Sequence, residues 1–267
     1  MTYKTRTLAF WLSILLFLVI SPPVLFYATG WRLTPGFNIE RTGGLFIAVP
    51  ESGSKVYLNN ELRSETGFFS SGVLLQNLTP HNYSVLVAKD GFWPWTKTLP
   101  VKGSEVVEGR ALMIPLTVTA ESVDAKSADY KTTLKAIDAL KAAIRTATST
   151  AARLGLAKDE RGRAQVWFDA GNRVWIEWLS DSPLPFYLDD IKKPIFQSRS
   201  TIHGISFLPG RNDIVVLATE NGVFALEIDG RPPQNFQPIY KGANPYFARI
   251  GDSLYVLDGA ALAKIAL

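Results

Sequence analysis

The sequence predicts a mainly β chain carried behind one N-terminal transmembrane helix. Three observations predict it. Residues 7–31 contain no charged side chain. Between residues 43 and 118, short apolar runs alternate with turn residues at a spacing of about ten. Beyond residue 164, three segments repeat: Asn172, Asn212 and Asp252 stand 40 residues apart, each ahead of an alternating apolar strand. The expected order is a cytoplasmic tail (1–7), the membrane helix (8–30), an antiparallel β-sandwich (42–118), a helical connector (119–163) and partial β-propeller-like repeats (164–267).

The first element is justified by length and polarity. A bilayer core needs about 20 apolar residues, and LAFWLSILLFLVISPPVLFY supplies them. Lys4 and Arg6 precede the run, which favours a cytoplasmic N-terminus. Pro22 and Pro23 are expected to kink or end the helix near the far interface, where Tyr27 and Trp31 sit. The alternative is a cleaved signal peptide with its small-residue site at Ala28-Thr29-Gly30. The run is longer than a signal core, so a retained anchor is preferred.

The sandwich rests on LFIAV at 45–49, KVYLN at 55–59, GVLLQNL at 72–78, YSVLVAK at 83–89, WTKTLPV at 95–101 and VVEGRALMIPLTV at 106–118. Asn59-Asn60 and Asp90-Gly91 are hairpin signals, since Asn and Gly tolerate positive φ. The connector is Ala-, Lys- and Leu-rich from 127 to 146. Tyr130, Leu134, Ile137 and Ile144 recur at helical spacing, and Ser127 can cap the start. Its Lys and Arg residues are read as a solvated face. In the repeats, VWF, ISF and PYF precede the aligned strands at 166–168, 205–207 and 245–247. About four strands per unit is a blade pattern, yet the third unit stops after its third strand. The connector helix or the sandwich is expected to cover an exposed edge.

Composition excludes several function classes. The net charge of +4 comes from scattered residues, unlike the clustered footprint of a nucleic-acid protein. Zero cysteines exclude disulfides, thiolate catalysis, Cys-ligated metals and a lipidated Cys. No nucleophile elbow, phosphate-cradling glycine loop or HExxH motif is present. His81 and His203 each lack a companion at ligand spacing, and Asp189-Asp190 read as loop charges. No catalytic, cofactor or metal residue is assigned. The tryptophans remain, since stacked indoles can pack a core or meet a sugar. Trp93, Trp95 and Trp175 are the candidate contact residues. In FWPW, Phe92 and Trp93 point to opposite faces, with Trp95 on the Trp93 side of a regular strand.

Taken in order, TGGLFIAV, PESGSKVYLNNEL and LLQNLTPHNYSVLVAKDGFWPWTKTL resemble the PEGA-domain family over residues 42–116. The lead-in YATGW looks like the membrane-to-domain junction of bacterial single-span members. Asn60, His81-Asn82 and SETGFFSSG depart from the family's usual turns. The resemblance implies a sandwich similar to transthyretin-like domains, used as an extracytoplasmic surface or binding module. It implies no enzyme and supplies no catalytic residues. The C-terminal repeats look like propeller repeats that accompany such domains in bacterial envelope proteins.

The expected function is therefore a structural, adhesive or protein-interaction role at the bacterial cell envelope. The protein is single-pass and N-in, with its C-terminal domains extracytoplasmic and an envelope protein or polysaccharide as partner. A rival is a carbohydrate-binding module using Trp93, Trp95 or Trp175. A second rival, a hydrolase in the C-terminal region, is opposed by the lack of a nucleophile–base pair.

Overall fold

A computed structural model describes residues 3–34, 38–68, 71–147 and 152–266. It is mainly β, with several antiparallel sheets behind one apolar N-terminal helix. Helix α1 (Tyr3–Ala28) runs through Pro22 and Pro23 to Ala28, past the point where the sequence predicts a kink or an end. Proline fixes φ near the helical value, so its cost is the lost donor and crowding of the preceding turn. Residues 5–28 are long and apolar enough to cross a membrane and are not buried against the rest of the chain. The helix stops where Gly30 takes φ +85° and its N–H turns back to the Tyr27 carbonyl at 3.2 Å.

A hairpin that the sequence reading missed follows, β1 (Trp31–Thr34) with β2 (Asn38–Arg41). It ties helix to body. Trp31 stacks on Phe26, with ring centroids 6.0 Å apart. Arg32 lies over the Tyr27 ring at 3.4 Å and donates to Asn77 Oδ1 at 2.9 Å.

The next block contains β3 (Gly43–Ala48), β4 (Lys55–Leu58), β5 (Glu61–Glu65), β6 (Gly72–Leu78), β7 (His81–Ala88), β8 (Trp95–Val101) and β9 (Val106–Arg110). They form two sheets, ordered β6-β3-β9 and β5-β4-β7-β8. Asn59 and Asn60 join β4 to β5 with φ of 51° and 68°, as the hairpin signal requires. Inward residues of both sheets, among them Leu45, Ile47, Val56, Val85 and Leu99, share one core. One pairing departs from an all-antiparallel block: β3 and β9 are parallel. The whole β5-β4-β7-β8 sheet lies between them in the chain, which is connection enough for a parallel pair. The strand expected to run to 118 ends at Arg110. Residues 111–114 continue as buried irregular backbone.

Both ends of the segment expected as a helical connector are strands, β10 (Thr119–Ser122) and β11 (Leu154–Lys158). Between them α2 (Ala128–Thr146) starts where its sequence predicts. Ser127 Oγ accepts the Tyr130 N–H at 3.1 Å. Ile137 is fully buried against Tyr255, Leu257 and Leu262.

The remaining strands are β12 (Ala164–Phe168), β13 (Arg173–Trp178), β14 (Lys192–Gln197), β15 (Ile202–Phe207), β16 (Ile214–Thr219), β17 (Gly222–Glu227), β18 (Phe236–Lys241), β19 (Tyr246–Ile250), β20 (Ser253–Asp258) and β21 (Ala261–Ala266). They make three four-stranded antiparallel sheets: β11-β12-β13-β14, β15-β16-β17-β18 and β19-β20-β21-β10. The last sheet is completed by β10, which pairs Ala120 with Ile265 from far upstream. Neighbouring sheets meet along β11–β15 and β15–β19, and α2 packs against all three of these strands. Among the described residues no closed barrel or ring of sheets forms.

The 40-residue period does not map onto equivalent strands. It aligns β13 with β16 and β20, yet β13 is third in its sheet while the others are second. Every hairpin here carries the same turn-then-alternation signal. The true first strand, β11, is interrupted by a bulge at Gly155 (φ +63°) and reads as polar connection.

Candidate functional site

The candidate tryptophans occupy three different settings. Trp95 opens β8 facing inward and has no exposed surface. A Cβ on Gly109 would meet its ring edge at 3.2 Å, as well as Ile47 and Leu99. Its Nε1 donates to Glu227 Oε1 at 3.0 Å. Expected as a contact residue, Trp95 makes its contacts inside the chain, because β8 turns that face toward the core. Trp93 is half-buried against the same core, and its Nε1 is buried with no acceptor among the described residues. Trp175 lies half-exposed on β13, opposite the face of Trp178. It stacks on Trp167 at 6.3 Å with planes 5° apart, and its Nε1 donates to Asp169 Oδ2 at 3.0 Å. Ring contacts therefore join Trp175 to Trp167, and among the described residues none joins it to Trp93 or Trp95.

The histidines are likewise separate. His81 meets Tyr83 edge-on, and buried His203 stacks on Tyr246 at 4.8 Å. Asp189 is paired with Lys193, whose ammonium holds the carboxyl below the usual carboxylate range. Among the described residues no three His, Cys, Asp or Glu side chains are placed to hold a metal.

A buried polar seam joins the N-terminal block to the β15–β18 sheet. Alternation along WTKTLPV puts Trp95, Lys97, Leu99 and Val101 on the inward side of β8. Lys97 is thus a cation at a core position. Its Nζ donates to Glu227 Oε2 at 2.7 Å and to the carbonyls of Asp229 and Arg231 at 3.1 and 2.9 Å. Both side chains are essentially unexposed. Asn235 Nδ2 adds a 2.7 Å bond to the same carboxylate oxygen. Burial pushes the Glu227 carboxyl up, against the downward pull of Lys97 and the other donors. The open edge of β8 is also covered. Thr98 N–H donates to the Pro232 carbonyl at 2.7 Å, and Asn235 Nδ2 donates to the Thr96 carbonyl at 3.0 Å.

The second polar feature is a pocket of 220 Å³ where the first hairpins of the three sheets converge. Their turns are alike: Gly162, Gly210 and Gly251 adopt φ of 65°, 71° and 59°. Five arginines line it, Arg110, Arg161, Arg163, Arg211 and Arg249. Three are matched by carboxylates. Arg211 forks onto Asp213 at 2.8 and 2.7 Å, and Arg110 reaches the same group at 3.3 Å. Arg249 reaches Glu160 at 2.7 Å and the exposed Asp252 at 3.5 Å. The Gly210 N–H and then Arg249 hold the Glu160 carboxyl below its ordinary value. Arg161 and Arg163 have no ion-pair partner among the described residues, and Arg163 Nε is buried without an acceptor. Trp178 restrains Arg163, its ring centroid 5.7 Å from the guanidinium carbon. Tyr187 donates to the Asn212 carbonyl at 3.2 Å, and burial with Asp213 and Asp159 nearby pushes its phenol up.

Sequence reasoning missed both features. Lys97 was visible in principle, as a charge at an inward position between Trp95 and Leu99. Arg161 and Arg163 stand in a run, KDERGR, that reads as polar loop. No protein-family model matches the chain, and no curated protein matches it.

Proposed function

We propose that this chain is a single-pass, extracytoplasmic β protein of the bacterial cell envelope, acting through contact rather than bond-making. In this reading residues 42–118 form a PEGA-like sandwich, and the three four-stranded sheets are a partial propeller that α2 braces. The carrying observation is the join between α1 and the body. An unburied apolar helix that ends at Tyr27 and Ala28 passes directly into a hairpin bearing Trp31, Arg32 and Arg41. Aromatic and cationic side chains of this kind sit at membrane–water interfaces. The PEGA-like peptide segments support the same placement. The buried seam supports a rigid platform whose loops meet a partner, an envelope protein or polysaccharide.

The absence of native cysteine makes topology directly measurable. Single variants Tyr3→Cys and Lys135→Cys are treated with a membrane-impermeant maleimide on intact cells. Labelling is expected at residue 135 in intact cells and at residue 3 only after permeabilisation. The reverse pattern would overturn the orientation, and labelling of neither at the cell surface would overturn the extracytoplasmic placement.

A second reading is supported at one tryptophan. Trp175 borders a groove with Asp169, Arg173 and Gln197, the mixture of a ring face and polar groups that suits a sugar. Envelope glycans should then quench or shift tryptophan emission in the native chain, and the change should vanish in Trp175→Ala. An unchanged spectrum at saturating glycan would remove this reading.

A further inference from the structure

The geometry points to a role for the arginine-lined pocket: it binds a phosphoryl group at Arg161 and Arg163. Three of its five arginines are engaged by Asp213, Glu160 and Asp252. Arg161 and Arg163 are in none of these ion pairs, and against the one wall carboxylate without a cation, Asp159, they leave an excess of positive charge for an anion. Arg163 supplies a further signal. Its Nε–H is buried and lacks an acceptor among the described residues, an arrangement that costs free energy until an acceptor arrives. The Trp178 ring limits its freedom, so less ordering remains to be done on binding.

Size and polarity narrow the ligand. Pockets for whole small molecules span roughly 300–1,000 Å³, and this one measures 220 Å³. It fits a phosphoryl group alone or the phosphate end of something larger. A tetrahedral phosphoryl group presents three or more oxygens to two planar guanidinium groups and so uses their donors more fully than the two oxygens of a carboxylate. The wall carboxylates are already engaged: Asp159 Oδ1 accepts the Ala164 N–H at 2.9 Å, and Glu160 Oε1 accepts the Gly210 N–H at 2.7 Å. The pocket draws on all three sheets, so a bound phosphoryl group would pin their hairpins together. The inference does not depend on membrane placement.

The test uses the full chain, purified in uncharged detergent at low salt and titrated by calorimetry with inorganic phosphate. Saturable one-to-one binding is expected. It should weaken at least tenfold in Arg163→Gln and in Arg161→Gln and be partly restored in Arg163→Lys. Arg63→Gln, which alters an exposed pair with Glu61 on β5, should leave it unchanged. Thermal melting checks each fold. Arg161 is exposed, so its variant carries the test even where Arg163→Gln fails to fold. Two further titrants separate the sources. Tighter binding of glycerol phosphate supports a soluble or polymer-borne phosphate. Tighter binding of monomeric short-chain phosphatidic acid, a monoester with three free phosphoryl oxygens, supports a lipid headgroup. No saturable binding of any of the three, or equal affinity in the wild type and both glutamine variants, would overturn the proposal.

Discussion

Replacing Lys97 by Met leaves the Glu227 carboxylate buried without its cation. Breaking one side of such a pair costs about 3–5 kcal/mol. Replacing both partners with apolar groups of similar volume is much less costly. Lys97→Met should therefore lower unfolding free energy by about that amount, and adding Glu227→Leu should recover a large part of it. A denaturant double-mutant cycle measures the coupling; strict additivity of the two substitutions would contradict the paired geometry. Glu160 gives a pH prediction. Its folded-state pKa lies below its unfolded one, so its stabilisation is complete above the unfolded value and fades as pH falls through the folded value. It lies open to solvent screening, so the effect is small. Glu160→Gln should reduce the loss of melting temperature between neutral and acid pH, and an unchanged acid limb would exclude the Gly210 and Arg249 contacts as its cause. At this scale, Ser127 and Asn59-Asn60 were legible because caps and tight turns are set by neighbours in sequence. The partners of Lys97 were not: Glu227 lies 130 residues away.

Among the elements, α2 acts as a brace and β10 as a closing strand. The helix reaches β11, β15 and β19, the first strands of the three sheets. Ile137, like Thr133 one turn before it, has no exposed surface. Ile137→Ala should cost about 2–5 kcal/mol, the range for large-to-small changes in a packed core, read as a shift in denaturation midpoint. A shift as small as that of a solvent-facing substitution such as Lys135→Ala would show that the helix does not seat there. The periodicity of α2 announced its buried stripe. No local signal announced β10, because TAES is short, exposed and polar, and its strand identity depends wholly on pairing with β21. The repeat alignment failed for a related reason: alternation identifies a strand but not its rank within a sheet.

At the level of the whole molecule, the β15–β18 sheet is shared. Along β16, Ile214, Val216 and Ala218 join the core of the N-terminal block, while Val215 and Leu217 join the core of the β11–β14 sheet. A strand buried on both faces reads as a continuous apolar run, as IVVLA does. The core of the N-terminal block thus continues into the repeats across the expected boundary. The described β body should unfold in one cooperative transition, with tryptophan fluorescence and far-UV circular dichroism coincident. Residues 164–267 expressed alone should fail to fold, lacking β10, β11, α2 and the cover over Ile214 and Val216. Two separated transitions, or a soluble folded fragment, would refute the shared core.

The sequence by itself determined what is local: an apolar helix of spanning length, most of the strands, their turns and the capped, striped α2. Each follows from hydrophobic period and from residues that favour particular backbone angles, both readable within about ten positions. Only the tertiary structure decided which strands are neighbours and that β10 completes the last sheet. It also decided that Trp95 and Lys97 turn inward to meet Glu227, and that five arginines from four separate stretches of chain gather in one pocket. These outcomes depend on burying several apolar faces at once. Many pairings satisfy the same local alternation, and packing of the shared sheet selects among them.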